Sequence, residues 1–198
     1  MVTGGDEQRL DRRAVVRALL AGRGDLLVVT GLGSPSYDAM AAGDSDRTFY
    51  LWGAMGSAAT VGLGLAIAQP QRPVLVLTGD GELLMGIGAL ATIGVQAPAN
   101  LTIAVIDNER YAETGGQRSH TASGVRIDRI AEACGFAWTA EVTEDAGVED
   151  VRARLTALAG PGLAVCKVDP ADLPRVLPPI DAVHLKHRFR RALGFEPH

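Results

Sequence analysis

Aromatic side chains are only 5% of this 198-residue sequence, and there are just two cysteines. Two separated thiols, Cys134 and Cys166, cannot build a disulfide framework, a four-thiolate metal site or an iron–sulfur centre. Both sit in apolar runs and are expected to be inert packing. Positive charge is not in excess: 19 Lys+Arg stand against 23 Asp+Glu, a formal net charge of −4. With few stacking rings and no basic surplus, a nucleic-acid partner is not expected. The longest apolar stretch, 53–68, is short of a bilayer span and rich in glycine, so no membrane role is expected either. The first ten residues, MVTGGDEQRL, do not resemble a signal peptide. There is no internal repeat and no low-complexity linker. These absences point to a cytoplasmic globular chain, and 47% hydrophobic residues suffice for a substantial core.

What is present is an alternation. Leu10, Ala14 and Ala18 fall at helical spacing within a helix expected over 6–21. Short apolar runs predict strands at 26–30, 48–52, 74–78, 101–107, 136–142 and 163–169. Between them, helices are expected at 55–68, 83–96, 127–134 and 147–159. Such alternation predicts an α/β fold, a doubly wound and mainly parallel sheet with helices on both faces. Residues 1–170 read as one domain. Pro170, Pro174, Pro178 and Pro179 then mark a break before a C-terminal segment, 171–198, with a basic helix. There Leu185, Phe189 and Leu193 share a face that suits docking on a partner subunit.

Ligands of doubly wound folds bind at the carboxyl ends of the strands. The strand at 74–78 ends in Gly79-Asp80-Gly81, and the next ends in Asn108. One helical crossover lies between, so both polar side chains should emerge at the same edge. A carboxylate, an amide oxygen and a backbone carbonyl are hard oxygen donors of the kind Mg2+ takes, usually with substrate phosphates completing the shell. Gly79 and Gly81 let the backbone turn sharply and approach a phosphate closely. Taken singly, each of these features is more often just a turn.

Leu63-Gly64, Pro70, Leu75, Leu77, Gly79-Asp80-Gly81 and Asn108 together resemble the signature of thiamine-diphosphate enzymes. The resemblance implies the thiamine-diphosphate-binding fold, with thiamine diphosphate and Mg2+ as cofactors. Asp80, Asn108 and the Arg110 carbonyl would hold the metal, and the N–H groups of Gly81 and Glu82 would face the diphosphate. A small residue usually follows the second glycine; Glu82 departs from that pattern, and its carboxylate would be repelled unless it points away or caps a helix. Gly53-Ala54-Met55-Gly56 looks like a second element of the family. There the Gly53 carbonyl would bond the pyrimidine amino group, and Met55 would hold the cofactor bent.

The resemblance spans residues 10–170 but only one of the family's two domain types. The chain thus resembles the diphosphate-binding half of a split enzyme. A pyrimidine-binding (alpha) subunit would supply the activating glutamate in a hetero-oligomer. The loop 108–121, with GDGELLMGIGALATIG, is similar to the beta subunits of sulfopyruvate decarboxylases and the matching half of phosphonopyruvate decarboxylases. That implies non-oxidative decarboxylation of a small anionic 2-oxoacid to CO2 and an aldehyde. Thr114-Gly115-Gly116-Gln117 also occurs in 2-oxoacid oxidoreductase subunits, but those commonly carry cysteine clusters. A carboligase or 2-oxoacid oxidoreductase subunit of the same superfamily and a non-catalytic, partner-binding subunit remain the alternatives. In the loop, Arg118, Ser119, His120 and the Gly115 and Gly116 backbone are candidate anion donors. His120 is alternatively a proton relay or a solvated loop residue, and Tyr111 packs the loop or touches the cofactor. With few apolar anchors, this loop is expected to be mobile in the absence of ligand.

Overall fold

The computed structural model describes residues 9–196. Its centre is a six-stranded, all-parallel sheet. The strands are β1 (Leu27–Thr30), β2 (Thr48–Tyr50), β3 (Val74–Gly79), β4 (Leu101–Asp107), β7 (Trp138–Val142) and β8 (Gly162–Lys167). They lie in the order β2-β1-β3-β4-β8-β7. A two-stranded antiparallel hairpin, β5 (Arg110–Tyr111) and β6 (Gln117–Arg118), stands beyond the end of β4. Among the described residues no helix is long and apolar enough to cross a membrane.

Because strand side chains alternate, β3 and β4 feed two cores. Leu75, Leu77, Ala104 and Ile106 face α1 (Arg12–Leu20), α2 (Ser34–Ala41) and α7 (Asp145–Thr156). Val74, Val76, Ile103 and Val105 face α3 (Ala58–Ala68), α5 (Ala89–Gln96) and α6 (Ile127–Ala133). Both faces being covered, the inner strands are predominantly apolar, as parallel strands usually are, with polar residues mainly toward their carboxyl ends. The expected doubly wound architecture is what the chain adopts.

Several boundaries differ from the sequence-based expectation. The first helix starts at Arg12, capped by Asp11, which accepts the Ala14 N–H at 2.7 Å. Leu10 instead bridges Val168, while expected helix residues 6–8 lie outside the described residues. Helix α2 was not anticipated: its SPSYD opening reads as a turn cluster, yet Pro35 sits in the first turn, where a missing N–H costs nothing. The expected helix 83–96 is two helices, α4 (Asp80–Met85) and α5, separated by Gly86-Ile87-Gly88. Gly94 allows α5 to touch the end of α6, since a Cβ there would lie 1.7 Å from the Cys134 carbonyl oxygen. Gly94→Ala is therefore expected to destabilise the chain by about 1–3 kcal/mol, read as a lower urea midpoint.

The C-terminal segment returns to its own sheet. The Trp52 indole N–H donates to the Pro179 carbonyl at 2.8 Å, and the Arg13 guanidinium bonds Pro174. Helix α8 (Ala182–Ala192) then packs along β2. Leu185 and Phe189 are buried in the chain's own cores, with Leu193 against them. The stripe expected to dock on a partner is thus consumed internally, because the proline-rich stretch carries α8 back across the sheet edge. Arg188 forks onto Asp44 at 2.6 and 2.9 Å. Burial pushes the Asp44 carboxyl up, but Arg188, the Ser45 N–H and the Tyr50 hydroxyl together outweigh it and hold the group below its ordinary value. A carboxylate lowered by folding stabilises fully above its unfolded pKa, and that stability is lost as pH falls through the lowered folded value. Arg188→Ala is expected to cost about 1–2 kcal/mol at pH 7. The difference from wild type should shrink below pH about 4 in urea melts.

Candidate functional site

Between β1 and β3 the strand order reverses, β2 lying on one side of β1 and β3 on the other. In open α/β sheets such a switch point leaves a crevice outside the strand ends. Here it is a cavity of about 70 Å³. Met55, Gly79, Asp80, Gly81, Glu82, Asn108, Arg110 and Tyr111 line it, joined by Arg12 and Leu32 to Pro35. Gly53, Ala54 and His120, also expected at the site, are not in this lining. Gly53 and Ala54 form the left-handed turn, φ 75° and 50°, that delivers Met55. His120 is exposed, its Nδ1 3.3 Å from the Tyr111 hydroxyl.

Strand β3 stops at Gly79, and Asp80 opens α4 almost fully buried, 1% exposed. One of its oxygens accepts from the Ser119 hydroxyl and, at 3.2 Å, from Thr121. The Thr121 hydroxyl also reaches Asp107, 2.8 Å away. Burial and the nearby Asp107 charge push the Asp80 carboxyl up to about 6. Asp107 has its own counter-charge, the Lys167 ammonium at 2.8 Å. Asp80 has hydroxyl donors but no Lys or Arg partner among the described residues. Next to it, the Asn108 amide oxygen accepts the Arg110 N–H at 3.0 Å and keeps a second lone pair. Two hard oxygen donors thus stand at one edge, and one of them is a carboxylate short of a cation.

The loop after β4 is pinned to this turn. Tyr111 lies so close over Gly81 that a Cβ there would be 2.4 Å from its ring. Ser119 and Thr121 add the bonds to Asp80, so the anchors that the loop's apolar content seemed to lack are polar. Ser119, read as an anion donor, is spent inside on Asp80. Arg118 is turned back onto the Ala122 carbonyl at 2.5 Å.

Glu82 does not stand free beside the turn. Its Oε1 accepts from the backbone N–H of Gly56 at 2.9 Å and Ala58 at 3.3 Å, and Thr78 donates to Oε2. Burial raises this carboxyl, and the backbone bonds oppose the rise. The carboxylate expected to be repelled unless it pointed away or capped a helix is accordingly turned onto the start of α3.

Sequence reasoning missed Leu32-Gly33-Ser34-Pro35 and Arg12. The first had a signal: a glycine-rich turn, GLGS, directly after the apolar strand LLVVT. Arg12 had none. It reaches the cavity because buried Asp38 of α2, 2.5 Å away, draws it there, and it donates to Ser34 at 3.0 Å. Burial raises the Asp38 carboxyl in spite of Arg12 and Arg13. Cys166 is fully enclosed, its thiol pushed up to about 12 by burial, in keeping with inert packing.

Residues 37–168 match the thiamine pyrophosphate enzyme C-terminal TPP-binding domain. The chain is 40% identical over 196 residues to a phosphonopyruvate decarboxylase of Streptomyces viridochromogenes, covering 98% of this chain and 49% of that one. It is 37% identical over 182 residues to the sulfopyruvate decarboxylase subunit beta of Methanothermobacter thermautotrophicus, covering 91% and 94%. It therefore spans about half of the first relative and nearly all of the second. Among solved structures, a thiamine diphosphate-dependent 4-hydroxybenzoylformate decarboxylase of Rhodococcus jostii superposes with a TM-score of 0.68 at 19% identity. That match covers 84% of this chain and 34% of the other, and it speaks to the fold alone. The chain belongs to the thiamine pyrophosphate enzyme family, as its TPP-binding domain.

Proposed function

We propose that this chain is the diphosphate- and Mg2+-binding subunit of a split thiamine-diphosphate-dependent 2-oxoacid decarboxylase. The observation that carries the reading is the meeting of Met55, the Gly79–Gly81 turn, Asn108 and Tyr111 in one crevice at the switch point. Mg2+ suits the donor set. Among the described residues no three His, Cys, Asp or Glu side chains converge, so an all-side-chain cage is lacking. An ion held by Asp80, Asn108 and the Arg110 carbonyl would need diphosphate oxygens to complete its shell, a common habit of Mg2+.

In this reading the N–H groups of Gly81 and Glu82 face the diphosphate, and the Gly53 carbonyl and Met55 hold the pyrimidine side. Bound thiamine diphosphate supplies the carbanion and the electron sink of decarboxylation. The chain's own part is to orient and to keep charge balanced. The contact of His120 with the Tyr111 hydroxyl above Gly81 supports a part for His120 as a proton relay from outside the crevice lining. A small anionic 2-oxoacid, as in the names of both relatives, is the proposed substrate.

A partner is supported by the surface beside the crevice. No charged residue occurs from Leu83 to Ile106 or from Thr48 to Gln71. Ile67 of α3, Met85 at the end of α4 and Val95 of α5 are 55%, 62% and 82% exposed. Helices apolar on their outer side belong inside an assembly. We assign this face to a pyrimidine-binding subunit that supplies the activating glutamate, in a cytoplasmic hetero-oligomer.

Native mass spectrometry of the tagged chain, purified from its own cells in Mg2+, tests the reading. A heteromer with a second small subunit and bound thiamine diphosphate is expected. A homo-oligomer that does not take up added thiamine diphosphate would sink it. Product analysis over a panel of 2-oxoacids should give free aldehyde; hydroxyketones would point to a carboligase.

A further inference from the structure

Glu82 is the residue at which this chain departs from the pattern of its motif, and the structure spends it on an unusual contact. Its carboxyl is buried, 5% exposed, and leaves α4 to accept N–H bonds from Gly56 and Ala58. Those groups are the last of the Met55 turn and the first of α3. Ser57, at the N-cap of α3, makes no side-chain capping bond. The unpaired N–H groups of that helix end, and its positive end charge, are thus met by a carboxylate from another element. A second contact tightens the same joint: a Cβ on Gly86, at the end of α4, would lie 1.9 Å from the Gly56 carbonyl oxygen. Helix α4 therefore grips the Met55 turn at both its ends, while its first residue is Asp80.

We propose that Glu82 is a positioning residue, a strut that fixes the Met55 turn relative to the Asp80 turn. It sets the distance between the place that holds the cofactor's rings and the place that holds its diphosphate. The inference rests on the cofactor reading above. Without the strut the Met55 turn has three left-handed residues, Gly53, Ala54 and Gly56, and few side-chain bonds to keep it in place. The diphosphate side stays anchored by Ser119, Thr121 and Tyr111, whose hydrogen bonds run to Asp80, Asp107 and His120 and not to Glu82.

The test compares two ligands on the assembled protein purified from its own cells. Affinities for thiamine diphosphate and for inorganic diphosphate, both with Mg2+, are measured by calorimetry for wild type, Glu82→Ala, Glu82→Gln and Glu82→Asp. Glu82→Ala is expected to weaken thiamine diphosphate by about tenfold or more while inorganic diphosphate changes less than about twofold. Glu82→Gln keeps one acceptor oxygen at the right reach for the Gly56 and Ala58 N–H groups and should stay close to wild type, whereas the shorter Glu82→Asp should not. Amide hydrogen exchange over 53–58 should quicken in the Ala and Asp variants only. An Ala variant matching wild type on both ligands, or losing both equally, would overturn the inference and leave the cofactor reading standing. If the Ala variant does not fold, Gln and Asp decide it, and equal behaviour of those two overturns it. Wild-type protein that binds inorganic diphosphate but not thiamine diphosphate overturns the cofactor reading and this inference with it.

Discussion

Asp80→Ala is expected to weaken Mg2+-dependent binding of thiamine diphosphate by about 100-fold or more, since even an outer-shell partner of a metal site is commonly worth 10- to 100-fold. The proposed metal site has one charged donor, and this change removes it. Asn108→Ala, which deletes a neutral donor, should cost less, about tenfold. The loss should not come from unfolding. Ser119 and Thr121, whose hydroxyls lie 2.8 Å apart, still bond each other when the carboxylate is gone. Asp107 keeps Lys167, and a buried carboxylate repelled by its neighbour has been deleted. Without ligand, Asp80→Ala should be at least as stable as wild type in urea, while calorimetry finds its cofactor affinity gone. A variant that binds thiamine diphosphate normally would show that the metal is held elsewhere.

Gly86→Ala should also weaken the cofactor's binding, for a different reason. Gly86 has φ −119°, which any residue can adopt, so backbone strain is not at issue. Space is: the new Cβ would meet the carbonyl oxygen, carbon and Cα of Gly56 at 1.9, 2.7 and 2.9 Å. Those are backbone atoms that cannot rotate away, so the Met55 turn must shift as a unit. A displaced turn is expected to reduce thiamine diphosphate affinity by about tenfold or more, with inorganic diphosphate bound as before. Neighbouring Gly88 is the control: a Cβ there meets nothing, so Gly88→Ala should be silent by the same calorimetry.

Much of this was legible along the chain. Apolar runs separated by helical spans identify a two-faced parallel sheet because such strands admit no polar side. A GDG turn and an Asn at the ends of two adjacent strands must share an edge, since one crossover joins them. Where reading failed, contacts distant in sequence were responsible. Helix α2 begins with turn residues and is held by packing on the sheet and by Arg12 and Arg13 on Asp38. The amphipathic stripe of α8, expected on a partner subunit, packs on the chain's own cores, because the bend of the proline-rich segment decides which surface it meets.

Glu82 shows the division most clearly. From sequence it is a negative charge beside a presumed diphosphate, with no way to tell where it points. Only the packing of α4 against the start of α3 brings it to the Gly56 and Ala58 N–H groups. Strand positions and the placing of Asp80 and Asn108 at one edge of the sheet follow from local pattern, because backbone periodicity and short spacings act within one βαβ unit. The direction of a buried side chain, the anchoring of Asp80 by Ser119 and Thr121, and the return of α8 were decided by the tertiary structure. Each of those depends on a partner that the folded chain, and not the local sequence, puts within reach of a hydrogen bond.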